Sequence, residues 1–511
     1  MLDSILKPID KLINKVSMYR LLLYYLVGLL LIAILFSASG IMHYSGLDIA
    51  ISSSVLVFAC WAVNKVLASI FRAPLNPESS ILTGLILALI VPSKPTGFGL
   101  LFLLAVSGLA MASKYIISYR GKHIFNPAAI GVFLTAIGPH QSASWWVATS
   151  SMMPFVVLGG ILVVRKVRRE SMVFSFLITT TVVTLIYAIT SGASAATNLK
   201  NMVLNSAVFF LGFVMLTEPL TQPDTKFKRI VYGAIVGAVM APQFHIGHVY
   251  TTPEAALVIG NLFAFIFSNK IKLFPVLVRK YAIAADSGEF VYAPEYKISY
   301  QPGQYMEFTL PHENTDSRGS RRFFTLASSP TESDIRLGVR FYQDSSSYKH
   351  ALINSKPGES IVASGLSGDF IMPRDRQRKL VFIAGGIGIT PFRSMIKYLI
   401  DKREQRDIIL IYGDKDVDHL AYRELLELAR DRLGVQIYYV LSGSNRKSEQ
   451  LDYAVHGRIN GALIKKLVED FNERTFYISG PLAMTEDIKR DLSDLGITRA
   501  NIKVDFFSGY A

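Results

Sequence analysis

Hydrophobic positions divide the chain into two halves of different texture. Up to about residue 270 they come in long, nearly unbroken runs, near 19–41, 49–69, 80–92, 97–117, 127–138, 146–164, 172–190, 203–217, 230–242 and 254–269. An α-helix needs about twenty apolar residues to cross a hydrocarbon core of about 30 Å. The pattern therefore predicts a polytopic α-helical membrane domain of about ten helices over residues 1–272. Two runs, 80–92 and 127–138, are short and bounded by glycine or proline, as in broken helices around a central site. After about Tyr281 the period falls to two, as in Gln304-Tyr305-Met306-Glu307-Phe308 and Ile335-Arg336-Leu337-Gly338-Val339-Arg340, which predicts strands. Beyond Pro373 the order becomes strand, glycine-rich turn, helix, strand, the signature of a doubly wound α/β unit. The expected fold class is multi-domain: membrane helices over 1–272, an antiparallel β-barrel over 281–375, and a doubly wound α/β nucleotide-binding domain over 376–511.

Basic residues test the count of spans. Lys7, Lys11, Lys15 and Arg20 precede the first run, and Arg72 follows the second. Lys114, Arg120 and Lys122 follow the fourth; Arg165, Lys166, Arg168 and Arg169 the sixth; Lys226, Lys228 and Arg229 the eighth; Lys270 and Lys272 the tenth. The alternate connections hold little beyond Lys94 and Lys200. Positive charge collects on the cytoplasmic side of a bilayer, so the expectation is a multi-pass protein of the cell membrane with both termini cytoplasmic. The same distribution accounts for the net charge of +14 without a nucleic-acid partner. One cysteine, Cys60, excludes an intrachain disulfide and any iron–sulfur cluster held wholly by this chain's cysteines. No metal-ligand set is read from the sequence.

Two polar strings interrupt the helical half, His123-Ile124-Phe125-Asn126-Pro127-Ala128-Ala129 and Thr217-Glu218-Pro219-Leu220-Thr221-Gln222-Pro223-Asp224-Thr225. Proline-broken backbone frees carbonyls and amides that protein or ligand must satisfy at membrane depth. On chemistry alone, punctuation between helix and loop explains them equally well. With Asn76-Pro77, Ser80, Thr83 and Gly84, and with Pro253-Glu254-Ala255-Ala256-Leu257 and Gly260-Asn261, the strings resemble the RnfD/NqrB family over most of residues 20–270. That resemblance implies a ten-helix membrane flavoprotein of a respiratory electron-transfer complex. It implies FMN or riboflavin among the helices, near Asn126, Thr217 and Thr221, and an FMN esterified to a hydroxyl on the outer face. The family's attachment motif is approximately Ser-Gly-Ala-Thr with an acidic residue upstream. The outward loop here reads Thr190-Ser191-Gly192-Ala193-Ser194-Ala195-Ala196-Thr197, an incomplete match at 191–194 and again at 194–197, with no close acidic residue before either. Ser194 and Thr197 supply the candidate hydroxyls, and covalent and non-covalent attachment both stay open.

In the second half, Arg322-Phe323-Phe324-Thr325 and Gly365-Leu366-Ser367-Gly368 suit a flavin. A guanidinium pairs bidentately with phosphate, an aromatic ring stacks on the isoalloxazine, and a hydroxyl hydrogen-bonds at its N5. Glycines beside Ser367 let backbone approach a pyrophosphate. Gly385-Gly386-Ile387-Gly388, between strand and helix, offers amides and a positive helix end to dinucleotide phosphates. Each string alone is an ordinary strand or turn. In this order, and followed by Ser479-Gly480-Pro481-Leu482-Ala483-Met484, they resemble the ferredoxin–NADP reductase superfamily over residues 281–511. The resemblance implies that Arg322, Phe324 and Thr325 bind FAD and that Thr390 and Pro391 border the nicotinamide. Ser479, Gly480, Pro481 and Met484 then complete the nucleotide site, and Phe507 of the aromatic tail stacks over the flavin. Thr325, Thr390, Ser479 and Phe507 are the residues expected nearest the hydride transfer; the family commonly has cysteine where this chain has Ser479. After Tyr412 comes Gly413-Asp414, whose acid suits a ribose diol better than a 2′-phosphate, so NADH is favoured over NADPH.

The function expected is a membrane NAD(P)H dehydrogenase. FAD accepts a hydride and divides the electron pair into single electrons, which pass to flavin in the membrane domain and on to an extracytoplasmic flavoprotein, a quinone or a metal. Two alternatives stay open, a flavin or ion transporter with the reductase as regulator and a redox-driven ion pump. An ionisable residue inside a span would favour the transporter; Lys65 is the candidate, close enough to a helix end to snorkel.

Overall fold

The computed structural model describes residues 13, 16–71, 73, 77–119, 122–138, 141–241, 245–246, 249–268, 271–316, 319–443, 451 and 453–505. Asn76 and Phe507, both singled out above, lie outside the described residues. The chain forms two compact units, Met1–Lys270 and Ile271–Ala511.

In the N-terminal unit four helices are long: α1 (Met18–Ala38), α2 (Gly46–Ile70), α4 (Gly97–Ile116) and α7 (Glu170–Thr190). Ser17 and Ser45 start the first two, each hydroxyl accepting from an amide three residues on, the usual way to satisfy an orphan donor at a helix start. Between them lie α3 (Pro77–Ile90), α5 (Pro127–Ile137) and α6 (Met153–Val167). They are followed by α8 (Ala195–Leu204), α9 (Val208–Phe210, continued as a π-helix over Leu211–Met215), α10 (Lys226–Met240) and α11 (Pro253–Phe267).

A helix lies in each of the ten apolar runs, but the expected ten spans are not what the structure holds. Among the described residues four helices are long and apolar enough to cross a membrane, or five if α8 and α9, bent by 54°, count as one span. The others have 11 to 15 residues, and at 1.5 Å per residue rise only about 16–23 Å. The run at 146–164 shows one cause of the miscount. Its first residues are buried irregular backbone that caps the end of α3, with Trp146 Nε1 donating to the Ala88 carbonyl (2.9 Å) and the Val147 amide to that of Leu89 (3.3 Å). Apolar length along the sequence thus counts packed loop as helix. Among the short helices α3 stands apart. Ten of the fourteen residues of α3 are buried, whereas the long helices leave large apolar side chains such as Leu35, Phe58, Leu101 and Ile189 exposed.

The C-terminal unit opens with antiparallel strands: β1 (Lys272–Leu273), β2 (Val276–Ala284), β3 (Ser287–Ala293), β4 (Tyr305–Thr309), β5 (Arg321–Thr325), β6 (Ile335–Arg340) and β7 (Val362–Ser367), with α12 (Ser347–Asn354) before the last. They begin ahead of the change in composition at Tyr281. Two sheets result, in the orders β6-β3-β2 and β1-β7-β4-β5, joined at one edge by an isolated bridge between Val276 and Ser360. A six-stranded, wholly parallel sheet follows, ordered β11-β10-β9-β8-β12-β13. Its strands are β8 (Leu380–Gly385), β9 (Ile408–Asp414), β10 (Gln436–Leu441), β11 (Ala454–His456), β12 (Thr475–Ser479) and β13 (Ile502–Val504). Helices α13 (Thr390–Lys402), α14 (Arg423–Leu433), α15 (Gly461–Leu467) and α16 (Leu482–Asp494) connect them. Strand β8 is buried at every position because helices cover both faces of a parallel sheet. The chain runs outward from β8 through β9, β10 and β11, then returns to its other side as β12. Ligands of such sheets bind at the carboxyl ends of the strands where the order reverses, which here is the junction of β8 and β12.

Phe392 on α13 stacks on Phe382 of β8 with ring centroids 4.7 Å apart. Phe392→Ala should cost about 3–5 kcal/mol and lower the calorimetric transition of the C-terminal unit by roughly 10 °C. Trp61, Trp145 and Trp146, the three tryptophans, all lie in the N-terminal unit, so the transition seen by their fluorescence should not move.

Candidate functional site

At the junction of β8 and β12 the glycine turn and the Ser479-Gly480-Pro481 string meet. A Cβ on Gly388 would lie 2.6 Å from the Gly480 nitrogen and nearer still to the Ser479 carbonyl oxygen, closer than real Cβ contacts. Met484, in the first turn of α16, closes over Gly385 and Gly480, its methyl 2.6–2.7 Å from where their Cβ atoms would be. Gly386 takes φ +56°, and a Cβ there would meet Nη1 of Arg340 at 2.5 Å. Thr390 and Pro391 open α13, with Thr390 Oγ1 donating to the Ile387 carbonyl (3.1 Å). The turn thus presents amides and a helix start free of side-chain bulk, which fits a dinucleotide pyrophosphate.

Thr325 closes strand β5 and Ser479 closes β12. Both hydroxyls donate to Oδ2 of Asp505, Ser479 at 3.2 Å and Thr325 at 3.5 Å. All three residues are buried. Asp505 is held there by its own amide, which continues the β13 pairing by donating to the Ile478 carbonyl (2.9 Å). The structure therefore brings Thr325, Ser479 and the glycine turn together, although 154 residues separate the first two in sequence. Gly365-Leu366-Ser367-Gly368 forms an irregularity in which β7 loses register with β4 between Ser364 and Ser367. Gly365 and Gly368 take φ +64° and +125°, and nothing lies within 4 Å of a Cβ on Gly365, an opening suited to a close backbone approach. Arg322 is turned differently from the simple phosphate fork expected. Its Nη1 donates to the Gly319 and Arg321 carbonyls (3.1 and 2.6 Å), and its guanidinium carbon lies 5.2 Å from the centre of the Tyr348 ring. Phe324 packs beside the same ring and Phe308, each 6.0 Å away.

Asp414, the acid offered to a ribose diol, is likewise engaged. Arg340 grips it at 3.1 and 3.3 Å and also bonds Asp286 at 2.7 Å. Burial pushes the Asp414 carboxyl above its ordinary value, against the pull of the Lys415 amide and Arg340.

In the N-terminal unit Asn126 and Thr221 converge on a residue not singled out for this role, Glu218. Oε2 of Glu218 accepts from Asn126 Nδ2 (2.8 Å) and Thr221 Oγ1 (3.1 Å), while Oε1 lies 3.4 Å from His123 Nε2. Asn261 on α11 completes the cluster. Its Oδ1 accepts from the Asn126 amide (2.8 Å), and its Nδ2 donates to Tyr232 Oη (2.9 Å) and the Thr221 carbonyl (3.3 Å). Beside it opens a cleft with about 320 Å³ of empty space, including its mouth, walled by Tyr119, Lys122, His123, Thr221, Gln222 and Phe265 among others. Gln222 Nε2 is buried there without a hydrogen-bond partner among the described residues. Such a donor is costly unless a ligand or water takes it. Thr217 does not join this cluster; its hydroxyl donates back to the Phe213 and Val214 carbonyls (2.9 and 3.1 Å). Ser194 caps α8 by accepting from the Thr197 amide (3.3 Å), and both residues are exposed.

Residues 382–490 match the family described as the oxidoreductase NAD-binding domain. Flavohemoproteins are similar to this chain: that of Oceanobacillus iheyensis is 26% identical over 216 residues, covering 41% of this chain and 52% of its own length. That of Bacillus subtilis is 27% identical over 209 residues, covering 41% and 51%. The chain thus spans about half the length of these relatives. A solved flavohem-like FAD/NAD-binding domain of nitric oxide dioxygenase from Vibrio cholerae is similar at 21% identity, covering 46% of this chain and 98% of that one, with a TM-score of 0.41. These likenesses mark the C-terminal unit as similar to NAD(P)H-dependent flavin oxidoreductases.

Glu218, Asp505 and Arg340 were not read as site residues from the sequence. A lone acid or arginine carries no local signal. Gly388→Ala should force the two strand ends apart. The expected result is a rise of about tenfold or more in the KM for NADH with FAD content unchanged, checked by steady-state kinetics and flavin extraction.

Proposed function

We propose that this chain is a membrane-bound NAD(P)H dehydrogenase. Electrons enter through FAD in the C-terminal unit, pass to flavin held by the N-terminal unit, and leave to an acceptor in the membrane or outside it. The observation that carries this reading is the meeting of Thr325 and Ser479 on Asp505 beside the glycine turn. When bound, FAD would take a hydride from C4 of the reduced nicotinamide at its N5, with a solvent proton completing its reduction, and release the electrons singly. Around that point Asp505 holds the two hydroxyl protons at Oδ2 and so orients both oxygens. Met484 and the tight apposition of Gly388 hold the two strand ends together.

Several features of the N-terminal unit support the second half of the reading. Its strings resemble the RnfD/NqrB family. Four long apolar helices suit a bilayer, and Arg165, Lys166, Arg168 and Arg169 with Lys226, Lys228 and Arg229 suit its cytoplasmic face. The Asn126–Thr221–Glu218 cluster and its cleft suit a non-covalent FMN or riboflavin. The exposed Ser194 and Thr197 suit a phosphoester to FMN. Arg340, on the glycine turn, suits the dinucleotide phosphates, with Asp414 as its counter-charge until they arrive.

Flavin analysis of the purified protein tests the proposal. FAD together with a second flavin is expected, and FMN that stays with acid-precipitated protein would place the ester on the outer loop. Removing the shared acceptor of Asn126 and Thr221 by Glu218→Ala costs on the order of 1–3 kcal/mol. That should weaken the non-covalent membrane flavin about tenfold or more and leave FAD in place. FAD as the sole flavin would contradict the relay.

A further inference from the structure

Thr325 and Thr390 belong to different layers of the C-terminal unit, and neither motif fixes the distance between them. The fixing contacts lie just beyond each. Directly after Thr325 the chain runs through 326–332 to β6; three residues after Thr390 stands Arg393, 6% exposed. Nη1 of Arg393 donates to the Ala327 carbonyl (2.9 Å), and its fork meets Glu332, Nη2 to Oε1 at 2.9 Å and Nη1 to Oε2. The next residue, Ser394, donates its hydroxyl to the Ser328 carbonyl (2.6 Å). Glu332 in turn accepts from the Ser329 amide (2.7 Å). On its other side the segment is tied by the Leu326 amide to the Gln304 carbonyl (3.0 Å) and by the Ala327 amide to that of Arg336 (2.9 Å). The segment leaving the flavin-side threonine is thus bonded to the first turn of the helix that starts at the nicotinamide-side threonine.

We infer that Arg393 is a positioning residue for hydride transfer, its fork on Glu332 and Ala327 setting the gap between the flavin side at Thr325 and the nicotinamide side at Thr390. The inference rests on the reading of this unit as an NAD(P)H–FAD oxidoreductase. Misplacing reacting groups by about 1 Å costs on the order of 10²-fold in rate, so a rigid tie at this point governs rate more than affinity. A guanidinium suits the task because its planar fork reaches a carboxylate with two donors and a carbonyl as well. A lysine keeps the charge and loses that geometry. Burial opposes the charge on Glu332, but the Arg393 fork more than reverses this and holds the carboxyl below its ordinary range.

The test uses the full-length holoenzyme carrying Arg393→Lys, and separately Glu332→Gln, which keeps the Arg393 bond to Ala327. In anaerobic rapid mixing with NADH, Arg393→Lys should slow flavin bleaching by about 10- to 100-fold. The KM for NADH should stay within about threefold, and the long-wavelength charge-transfer absorbance between nicotinamide and flavin should weaken. Glu332→Gln should show the same split in smaller measure. Unchanged bleaching and charge-transfer absorbance in FAD-loaded Arg393→Lys would overturn the inference while leaving the oxidoreductase reading intact. If Arg393→Lys fails to retain FAD, Glu332→Gln decides, and normal rates there overturn it too. Wild-type protein that NADH does not bleach would instead overturn the underlying reading, and this inference with it.

Discussion

At the carboxyl ends of β8 and β12 two backbones approach so closely that a side chain at Gly388 has no place to go. The rest of the C-terminal unit is arranged around that contact. It puts the start of α13 next to Ser479, and it leaves amides rather than side chains facing the strand ends. Asp505 then joins β12 to the end of β5 through two hydroxyls, and Arg393 joins α13 to the segment after β5. Hydride transfer needs two rings face to face at a fixed distance. The contacts between strand ends, and those just behind them, supply the frame for it.

The N-terminal unit solves a different problem. Short helices stand among long ones, and their starts carry backbone groups and polar side chains that need partners. Glu218 answers part of that need by accepting from Asn126 and Thr221, while Asn261 ties the same place to α11. Gln222, whose Nε2 is buried without a partner among the described residues, lines the adjoining cleft.

Much of this was legible in the sequence, and the limits follow from the physics. Strand β8 and its turn could be read because a buried parallel strand is continuously apolar and the turn needs glycines, both local signals. Asn126 and Thr221 were placed near one site by the family resemblance of their strings, since proline alone marks only where backbone is freed. The length of the spans was not legible, because hydropathy cannot separate packed loop, as at 146–152, from helix. Thr217 differs from Asn126 and Thr221 in that its hydroxyl bonds the carbonyls of the turn before it. Arg393, Arg340 and Asp505 act through partners distant in sequence, as do Glu332 toward Arg393 and Glu218 toward Asn126, and nothing in their immediate neighbours announces those partners.

The central claim is that electrons entering at the Thr325–Ser479–Asp505 junction do not stop at FAD. Anaerobic titration of the purified, full-length protein with NADH, followed by flavin absorbance, tests it most directly. The account predicts that the protein takes up more electrons than its FAD content can hold, and that the excess falls in Glu218→Ala. Uptake that ends when FAD is reduced, in protein that also contains the membrane flavin, would contradict it.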